Sequence, residues 1–330
     1  MTDNALPPLG NVTAQDVRDA HRRIEGGILR TPLLRADALD DIVGGEVLAK
    51  AECLQGTGSF KLRGALNHIL SLTEDEKPRG VVAYSSGNHA QGVARAAKLA
   101  GVKAAIVMPA DAPLAKRERT ARDGAEVILY DRERESREEI GARLAEERGA
   151  KLIPPFDHPL TIAGQGTAGL ELLEDAGGPL DQVVICASGG GLAAGIALVV
   201  REEHPDCAIL VVEPAGFDDL GRSLASGVRE ENARKGGSIC DALLVPTPGV
   251  LPLEILSAAG ARGVTVTDDE ALAAVAFALR ELKVVLEPGG AVALAAMLTG
   301  RVEGRGKRTA IILSGGNADP EMLKRALTID

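Results

Sequence analysis

The stretch VVAYSSGNHAQGVARAAKLAGVKAAIVMP, residues 81–109, alternates between two hydrophobic patterns. Apolar runs at 81–84 and 104–109 are typical of buried strands, and the residues between them have the periodicity and small side chains of a helix. Parallel strands need a crossover connection of about this length, which is usually helical. The stretch therefore predicts a β-α-β unit with a parallel strand pair.

The same alternation continues through most of the remaining chain. Further strands are predicted at 126–130, 182–188, 208–214, 263–268 and 308–316. Further helices are predicted at 114–124, 136–149, 191–203, 269–283 and 291–300. Thr13 and Asp16 form a capping-box pattern that opens a helix over 13–24, and residues 222–252 are rich in Gly and Pro, as in long loops. We predict two open, twisted α/β lobes with a ligand cleft at the carboxyl ends of their strands.

Composition narrows the classes of function. The chain has 330 residues, enough for two lobes, with 45% apolar, 25% charged and only 2% aromatic residues. Its net charge of −10 disfavours nucleic acids and anionic membranes as partners, because both attract basic proteins. We also expect no membrane span and no signal peptide, because the sequence contains neither pattern.

Cysteine spacing bears on the compartment. The cysteines are widely separated and form no CxxC pair; they are Cys53, Cys186, Cys207 and Cys240. This spacing argues against a zinc site or a disulfide framework. Reduced thiols are typical of the cytoplasm, where we expect this protein.

The segment QVVICASGGGLAAGIAL, residues 182–198, reads as a strand, a glycine turn and a helix. Gly189, Gly191 and Ala194 satisfy the pattern G-x-G-x-x-[GA], and Glu213 ends the next strand, as in dinucleotide-binding folds. Glycines let backbone N–H groups approach a phosphate at a helix N-terminus, whichever molecule carries the phosphate. The pattern is therefore compatible with NAD, with another phosphate ester, or with a tight turn that needs small residues.

Four loops share one form, in which small polar residues follow an apolar run and open a helix. They are GSFKLRGA (58–65), YSSGNHAQG (84–92), ASGGGLAAG (187–195) and LSGGN (313–317). Together with PPFDHPLTIAGQGTAGLELL (154–173) and EPGGAVALAA (287–296), they resemble the fold type II pyridoxal-phosphate enzymes, which share the fold of the tryptophan synthase β subunit. The resemblance runs from about residue 14 onward and is to the branch of threonine and serine dehydratases, serine racemases and 3-hydroxyaspartate dehydratases.

Lys61 is placed unusually for a free cation, because the helix macrodipole disfavours positive charge at a helix N-terminus. A lysine amine in a water-poor pocket becomes a good nucleophile and base. The resemblance implies that Lys61 forms a Schiff base with pyridoxal 5′-phosphate and later removes the α-proton of the substrate. It also implies that Phe60 packs on one face of the pyridine ring. The alternative for Lys61 is a lysine that snorkels at the protein surface.

The same resemblance implies how the rest of the cofactor is held. The phosphate would be bound by Ser188, Gly189, Gly190, Gly191 and Leu192, with Ser188 standing where the family usually has glycine. Asn88 would contact the phenolic oxygen, and Ser314 would face the pyridine nitrogen. A neutral hydroxyl there does not force protonation of the ring, which suits elimination. Glu287 matches a family position in the same pocket.

The substrate side is also assigned by resemblance. The substrate carboxylate would be bound at a predicted helix N-terminus by Ser85, Ser86, Gly87, Asn88 and His89. In similar racemases a serine at the place of Ser86 faces the cofactor opposite the lysine and relays a proton, whereas many threonine dehydratases carry alanine there. Arg137 resembles an arginine on the substrate side of racemases and 3-hydroxyaspartate dehydratases, although DRERESREE (131–139) also reads as a solvated helix face.

A cation site is implied in the segment EPAGFDD. Glu213, Asp219 and the carbonyl of Phe217 match a divalent-cation site in the same branch. Carboxylate and carbonyl oxygens suit Mg²⁺ or Ca²⁺, and Mn²⁺ is a further candidate. The alternative is two surface acids that follow a strand.

The resemblance implies α,β-elimination on a 3-hydroxy amino acid (L-threonine, L-serine or 3-hydroxyaspartate), which yields a keto or imino acid and ammonia. The alternative within the enzymes is a serine or amino-acid racemase with Lys61 and Ser86 as opposed bases, although residues 243–255 depart from the racemase pattern. A non-catalytic cofactor carrier and a dinucleotide-dependent oxidoreductase remain as alternatives of other classes.

The domain organisation follows the same resemblance. We expect a large cofactor-binding domain of residues 1–79 and 156–330 and a small mobile domain of residues 80–155. Because the chain stops soon after LSGGN, we expect no C-terminal regulatory domain. We expect a homodimer that acts on a small amino acid.

Overall fold

Within the computed structural model, which describes residues 12–85, 87–112 and 114–329, the strands form one sheet of six strands and one of four. The larger sheet contains, in spatial order, β1 (Leu33–Leu34), β2 (Glu46–Lys50), β10 (Arg308–Ile312), β7 (Gln182–Cys186), β8 (Ala208–Pro214) and β9 (Arg262–Val266). Strand β1 pairs with β2 in the antiparallel direction, and the other neighbours pair in parallel.

The smaller sheet is parallel throughout its described pairings. It contains, in spatial order, β5 (Glu126–Tyr130), β4 (Ala104–Pro109), β3 (Val81–Tyr84) and β6 (Lys151–Leu152). Val81 lies beside Ala104 in the register of β3 and β4, so the predicted β-α-β unit is present. The predicted arrangement of two α/β lobes is therefore present.

Helices connect the parallel strands and cover both sheets. They are α1 (Ala14–Ile24), α2 (Asp37–Val43), α3 (Lys61–Leu70), α4 (Asn88–Ala100), α5 (Leu114–Arg122), α6 (Arg137–Arg148), α7 (Pro159–Ala176), α8 (Gly191–Glu203), α9 (Asp219–Ser226), α10 (Val250–Ala258), α11 (Asp268–Phe277), α12 (Pro288–Leu298) and α13 (Pro320–Leu327). The capping box predicted at α1 is present, because Thr13 and Asp16 exchange side-chain to backbone hydrogen bonds.

Element ends differ from the predictions where the chain turns early. The helix predicted over 269–283 ends at Phe277 and continues as a π-helical turn, which Lys283 closes in the left-handed conformation with φ of 60°. The loop predicted over 222–252 is shorter, because α9 and α10 extend into it from both sides and leave 227–249 between them.

Helix α3 lies between the two lobes. Its residues Leu62, Leu66 and Ile69 share an apolar cluster with Val93 of α4 and Ile106 of β4, on the small-sheet side. Its opposite face packs against α7 of the large lobe. The first residue of this helix is Lys61, so the lysine enters the space between the two sheets.

A buried ion network fixes the start of α3. The Arg63 guanidinium donates to the carboxylates of Glu52 and Glu171 at 2.8 Å each, and the Lys50 ammonium donates to Glu171 at 2.7 Å. All four side chains are at most 1% exposed. Buried charges are tolerated when they are paired in this way, so the network ties α3 to the end of β2 and to α7.

Two sequence expectations concern membranes and thiols. In the described ranges, no helix combines the length and the apolar character that crossing a bilayer requires. Cys53, Cys186, Cys207 and Cys240 are free and buried. Burial raises the pKa of the Cys53 thiol to about 12, so this group stays neutral at physiological pH.

Candidate active site

A cavity of about 360 Å³ opens between the two lobes. All predicted cofactor-binding residues line it, namely Phe60, Lys61, Asn88, Ser188, Gly189, Gly190, Gly191, Leu192, Glu287 and Ser314. The predicted substrate-binding residues Ser85, Gly87, His89 and Arg137 line it as well. Ser86 lies outside the described residues. Side chains from four separate loops therefore meet in one cavity.

Lys61 projects into this cavity from the N-terminus of α3. Its Nζ donates to the carbonyl oxygen of Pro155 at 2.9 Å and lies 5.1 Å from the centroid of the Phe60 ring. Burial of the ammonium lowers the pKa of Lys61 from 10.5 to about 8. The neutral amine, which a nucleophile or a proton acceptor requires, is therefore more populated near neutral pH than in a solvent-exposed lysine.

The glycine loop between β7 and α8 forms one wall of the cavity. Gly190 caps α8 with φ of 87°, a conformation that favours glycine. A Cβ on Gly189 would lie 2.4 Å from the Phe156 ring, so this position has no room for a side chain. The loop presents backbone N–H groups at the N-terminus of a helix, which is the geometry of a phosphate cradle.

The hydroxyl of Ser188 belongs to the same loop. Its oxygen accepts a hydrogen bond from the Val245 backbone N–H at 3.2 Å, and the residue is 6% exposed. The hydroxyl hydrogen remains available to donate to an anion in the cavity. Ser314, at the end of β10, is similarly buried at 4% exposure and lines the cavity.

Asn88 and Glu287 are joined in a hydrogen-bond chain across the two lobes. The Asn88 amide donates to Glu287 Oε1 at 2.5 Å, and its oxygen accepts from the Asn317 amide at 2.8 Å. Asn317 in turn donates to the carbonyl of Thr57. Burial raises the pKa of Glu287 to about 7, so this carboxyl is close to half protonated at neutral pH.

The N-terminus of α4 is the predicted carboxylate site. Two of its expected donors are already used, because the Ser85 N–H donates to Val107 and the Gly87 N–H donates to Ser85 Oγ. The amides of Asn88 and His89 lie in the first turn, where helical N–H groups have no intrahelical partner. Burial lowers the pKa of His89 to about 3, so its ring is neutral and donates through Nε2 to the carbonyl of Ile153.

Cationic side chains come from the small lobe. The Arg137 guanidinium lies 5.8 Å from the Tyr84 ring centroid and pairs with Glu138 at 2.7 Å. Its side chain is 42% exposed, so it is both a surface residue and a residue of the cavity wall. Lys116 and Arg119 of α5 also line the cavity.

The predicted cation ligands lie elsewhere, at the end of β8. Glu213 is fully buried, and its carboxylate accepts from the Gly221 N–H at 2.7 Å and the Leu220 N–H at 3.3 Å. Asp219 is also fully buried; its Oδ1 accepts from Asn232, and its Oδ2 has no hydrogen-bond partner among the described residues. Burial and the mutual repulsion of the two carboxyls raise the pKa of Glu213 well above its usual range.

This carboxyl pair fits a hard cation, because an unpartnered buried carboxylate oxygen needs a positive partner. In the part of the chain that the structure describes, no three His, Cys, Asp or Glu side chains are grouped as metal ligands. A cation here would therefore rely on the two carboxylates and on backbone oxygens. Glu213 points at the amides of α9, so it does not serve a nucleotide ribose at the glycine loop.

Sequence reasoning missed several residues of the cavity wall. They are Tyr84, Gln91, Lys116, Arg119, Pro155, Phe156, Cys186, Asn317 and Asp319. Six of these residues stood inside segments that were recognised, so their positions were available as signals; they are Tyr84, Gln91, Pro155, Phe156, Cys186 and Asn317. Lys116 and Arg119 lie in the basic helix LAKRERTAR, whose polar pattern is typical of a solvated surface and gave no signal.

Comparison with known proteins agrees with this geometry. Residues 24–315 match the sequence family described as "Pyridoxal-phosphate dependent enzyme". The chain is 44% identical to the L-threo-3-hydroxyaspartate ammonia-lyase of a Pseudomonas species, over 93% of this chain and 95% of that protein. It is 40% identical to the L-threonine ammonia-lyase of Thermotoga maritima, over 96% of this chain and 78% of that protein.

A solved structure supports the same relationship. The fold superposes on that of maize serine racemase with a TM-score of 0.90 and 37% identity, covering 96% of this chain and 97% of the other. The lysine, the glycine loop and the two helix N-termini meet in one cleft, and the cradle at residues 188–192 fits a phosphate ester. The chain therefore belongs to the pyridoxal-phosphate dependent enzymes, in the branch that contains ammonia-lyases and serine racemases.

Proposed function

We propose that the protein eliminates water from a 3-hydroxy amino acid and releases a keto acid and ammonia. One observation carries the proposal: the Lys61 amine, with its lowered pKa, lies in a cleft lined by anion-binding amides at the glycine loop and at the start of α4. The glycine loop suits the cofactor phosphate, and the start of α4 suits the substrate carboxylate. L-Threonine, L-serine and 3-hydroxyaspartate are the candidate substrates.

Pyridoxal phosphate, when bound, supplies an electron sink that stabilises negative charge at the substrate Cα. Lys61 holds the cofactor in the resting enzyme, and its amine accepts the α-proton during the reaction. The amides of Asn88 and His89 orient the substrate through its carboxylate. Phe60 would pack against the cofactor ring, and Ser314 would offer the pyridine nitrogen a neutral hydroxyl. The Asn88 amide is held in place by Glu287 and Asn317.

The second candidate is racemisation of serine or another amino acid. The maize serine racemase structure and the 39% identity to the serine racemase of Dictyostelium discoideum support it. Lys61 and Ser86 would be the bases on opposite faces of the substrate. Replacing Ser86 by Ala should abolish racemisation and leave most of the elimination; equal loss of both would contradict this assignment.

A substrate panel separates the two activities. The enzyme is assayed with L-serine, D-serine, L-threonine and both diastereomers of 3-hydroxyaspartate, with and without Mg²⁺ and a chelator. Ammonia together with keto acid supports elimination, and D-serine formed from L-serine without keto acid supports racemisation. Neither product from any of these amino acids would contradict the proposed function.

We also propose that residues 80–155 form a small domain that closes on the substrate, and that 1–79 with 156–330 form the cofactor-binding domain. Closure would exclude water from the reacting carbon. Helix α3 packs on both lobes, so it is the surface over which the small domain would move.

Mg²⁺ is proposed at Glu213 and Asp219, with the Phe217 carbonyl as a third ligand; Ca²⁺ and Mn²⁺ suit the same oxygens. Asp219 Oδ2, which is fully buried and has no hydrogen-bond partner among the described residues, supports this. We also propose that the protein is a cytoplasmic homodimer that acts on a small amino acid. Mg²⁺ should raise the thermal midpoint of the native enzyme and leave that of Asp219→Asn unchanged.

A further inference from the structure

Lys116 is a cation on the cleft wall that the proposed elimination leaves without a role. It lies in the first turn of α5 and lines the cavity, and its side chain is only 17% exposed. Its Nζ lies 3.1 Å from Asp241 Oδ2 and 3.9 Å from Asp319 Oδ2. Both carboxylates belong to segments on the large-sheet side, so the ammonium reaches across the mouth of the cleft.

The ammonium has donors to spare. It carries three N–H groups, and Asp241 takes one of them at a normal hydrogen-bond distance. The separation of 3.9 Å from Asp319 is too long for a hydrogen bond. Among the described residues, Asp241 is the hydrogen-bond partner of Nζ, so at least one N–H remains for a ligand in the cavity.

The charge of Lys116 is secured by its surroundings. Burial alone would lower the pKa of Lys116, but the carboxylates of Asp241, Asp319 and Glu287 raise it above its ordinary value. The side chain is therefore a cation at neutral pH. Arg119, one turn further along α5, donates to Asn317 at 3.2 Å and adds positive potential at the same wall.

The cofactor phosphate does not account for this cation. The phosphate cradle at residues 188–192 uses backbone amides and lies in the large lobe, whereas Lys116 belongs to the helix that follows β4 of the small sheet. The substrate α-carboxylate is assigned to the start of α4. A second negative group on the substrate is the remaining ligand chemistry that matches a half-buried ammonium.

We propose that Lys116 binds the side-chain carboxylate of a dicarboxylic 3-hydroxy amino acid, such as 3-hydroxyaspartate, and thereby selects it over serine and threonine. The inference rests on the proposed function and deepens it by naming the substrate class. In the absence of substrate, the Lys116 ammonium donates a hydrogen bond to Asp241. The side-chain carboxylate of the substrate either accepts a second hydrogen bond from the ammonium or replaces Asp241. Serine and threonine carry no anionic group that could do so.

A purely structural clasp between the lobes predicts different behaviour. If the Lys116–Asp241 pair only held the lobes together, Lys116→Gln and Asp241→Asn would have the same effect, because each breaks the same contact. If Lys116 binds the substrate side-chain carboxylate, the two variants change the affinity for a dicarboxylate in opposite directions. Removing the lysine removes the receptor, whereas removing Asp241 removes a competing anion.

The test uses the holoenzyme and the variants Lys116→Gln and Asp241→Asn. Lys98→Gln is the matched control, because Lys98 also pairs with an aspartate, Asp123 at 3.2 Å, but lies outside the cleft wall. Two readouts are recorded for each protein. One is the ratio of kcat/KM for 3-hydroxyaspartate to that for L-serine, and the other is the Kd of succinate, an unreactive dicarboxylate, by calorimetry with butyrate as the monocarboxylate reference.

In Lys116→Gln we expect both the kcat/KM ratio and the affinity for succinate to fall by about 10- to 100-fold, as for loss of a charged hydrogen bond. In Asp241→Asn we expect the affinity for succinate to rise by about threefold or more, because a competing charge is gone. Lys98→Gln should match the native enzyme in both readouts. Native enzyme that binds succinate no better than butyrate would overturn the proposal, as would parallel losses in Lys116→Gln and Asp241→Asn.

The calorimetry separates this inference from the proposed function. If the native enzyme forms neither ammonia nor keto acid from any 3-hydroxy amino acid, the elimination proposal fails. The succinate measurement then tests by itself whether Lys116 binds a carboxylate.

Discussion

The two walls of the cleft are built in different ways. The large-lobe wall consists mainly of strand ends and tight turns, with residues 188–192 and Ser314 buried and uncharged, and its charged groups are the short carboxyls of Asp241, Glu287 and Asp319. The small-lobe wall carries long charged side chains from α5 and α6, among them Lys116 and Arg137. Backbone amides and small residues hold their positions whatever ligand is bound, whereas long cationic side chains can change conformation to fit different ligands. The first wall suits an invariant cofactor phosphate, and the second suits the discrimination of substrates.

This difference predicts an order of effects. Substitutions on the large-lobe wall and at Lys61 should affect the cofactor and all substrates together. Substitutions on the small-lobe wall should affect substrates unequally and leave the cofactor bound.

The largest effect is expected for Lys61→Ala. Loss of the amine removes both the cofactor attachment and the proton acceptor, so activity with every substrate should fall by about 1,000-fold or more. The visible absorbance of lysine-bound cofactor should disappear, which spectroscopy of the purified protein measures. Retention of that absorbance in Lys61→Ala, with cofactor added in excess, would contradict the assignment of Lys61 as the residue that binds the cofactor covalently.

Glu287 should produce a pH-dependent stability of the cofactor-free protein. Its pKa is raised from 4.5 to about 7 in the folded state, so the folded protein binds more protons than the unfolded chain in this interval. The contribution of Glu287 to the free energy of unfolding should therefore be largest below pH 4.5. This contribution should fall by about 3 kcal/mol as the pH rises through 7.

Glu287→Gln isolates that contribution. The amide keeps an oxygen to accept from Asn88, which lies 2.5 Å away, but it cannot ionise. Denaturant unfolding at pH 5 and pH 8 measures the difference between the two proteins. The variant should lose the fall in stability between these values, and an identical fall in both proteins would show that another group causes it.

Gly189→Ala is expected to have the next effect. The added Cβ would meet the Phe156 ring at 2.4 Å, and overpacking of this kind costs about 1 to 3 kcal/mol. Cofactor affinity, measured by titration of the cofactor-free protein, should fall by about tenfold, the equivalent of 1.4 kcal/mol. The loss of activity that follows from weaker cofactor binding should be similar for every substrate.

Two further variants serve as comparisons for Gly189→Ala. In the double variant Gly189→Ala/Phe156→Ala, the space vacated by the ring should restore part of the affinity. Gly236→Ala is the neutral control, because a Cβ on Gly236 would meet no atom of the described residues within 4 Å. A cofactor affinity of Gly189→Ala equal to that of the control would mean that the glycine loop is not a close-fitting cradle.

The same contrast explains what could be predicted from the sequence. Most of the alternating strands and helices from residue 81 onward and the capping box at Thr13 follow from local patterns, whereas the meeting of the glycine loop with Lys61 was implied by the family resemblance of the motifs. The contact of Lys116 with Asp241 joins residues 125 positions apart, and nothing in either local pattern indicates it. Pairing of long side chains depends on tertiary approach, which periodicity does not encode.

The buried network around Arg63 teaches the same lesson. Its arginine stands in the recognised motif SFKLRGA, yet its partners Glu52 and Glu171 come from a 3₁₀ turn and from the middle of α7. A charged residue in a helix reads as exposed from sequence alone. Only the approach of α3 to α7 buries it, so its role in holding the lysine helix was not predictable.

The smallest effect is expected for Arg137→Gln. The guanidinium is 42% exposed and already paired with Glu138, and exposed ion pairs contribute about 0.2 to 1 kcal/mol. The KM for the amino acid should rise by about two- to fivefold, the change that such an energy corresponds to, with the cofactor still bound. Steady-state kinetics and the visible absorbance of the cofactor measure both quantities on the same sample.

Arg134→Gln is the matched control for Arg137→Gln, because Arg134 is 85% exposed on the preceding turn and does not line the cavity. It should leave KM unchanged. A loss of about 100-fold or more in kcat/KM for Arg137→Gln, with L-serine as well as 3-hydroxyaspartate, would exceed the value of an exposed pair. Arg137 would then act on every substrate, and the small-lobe wall would share the general role that we assign to the large-lobe wall.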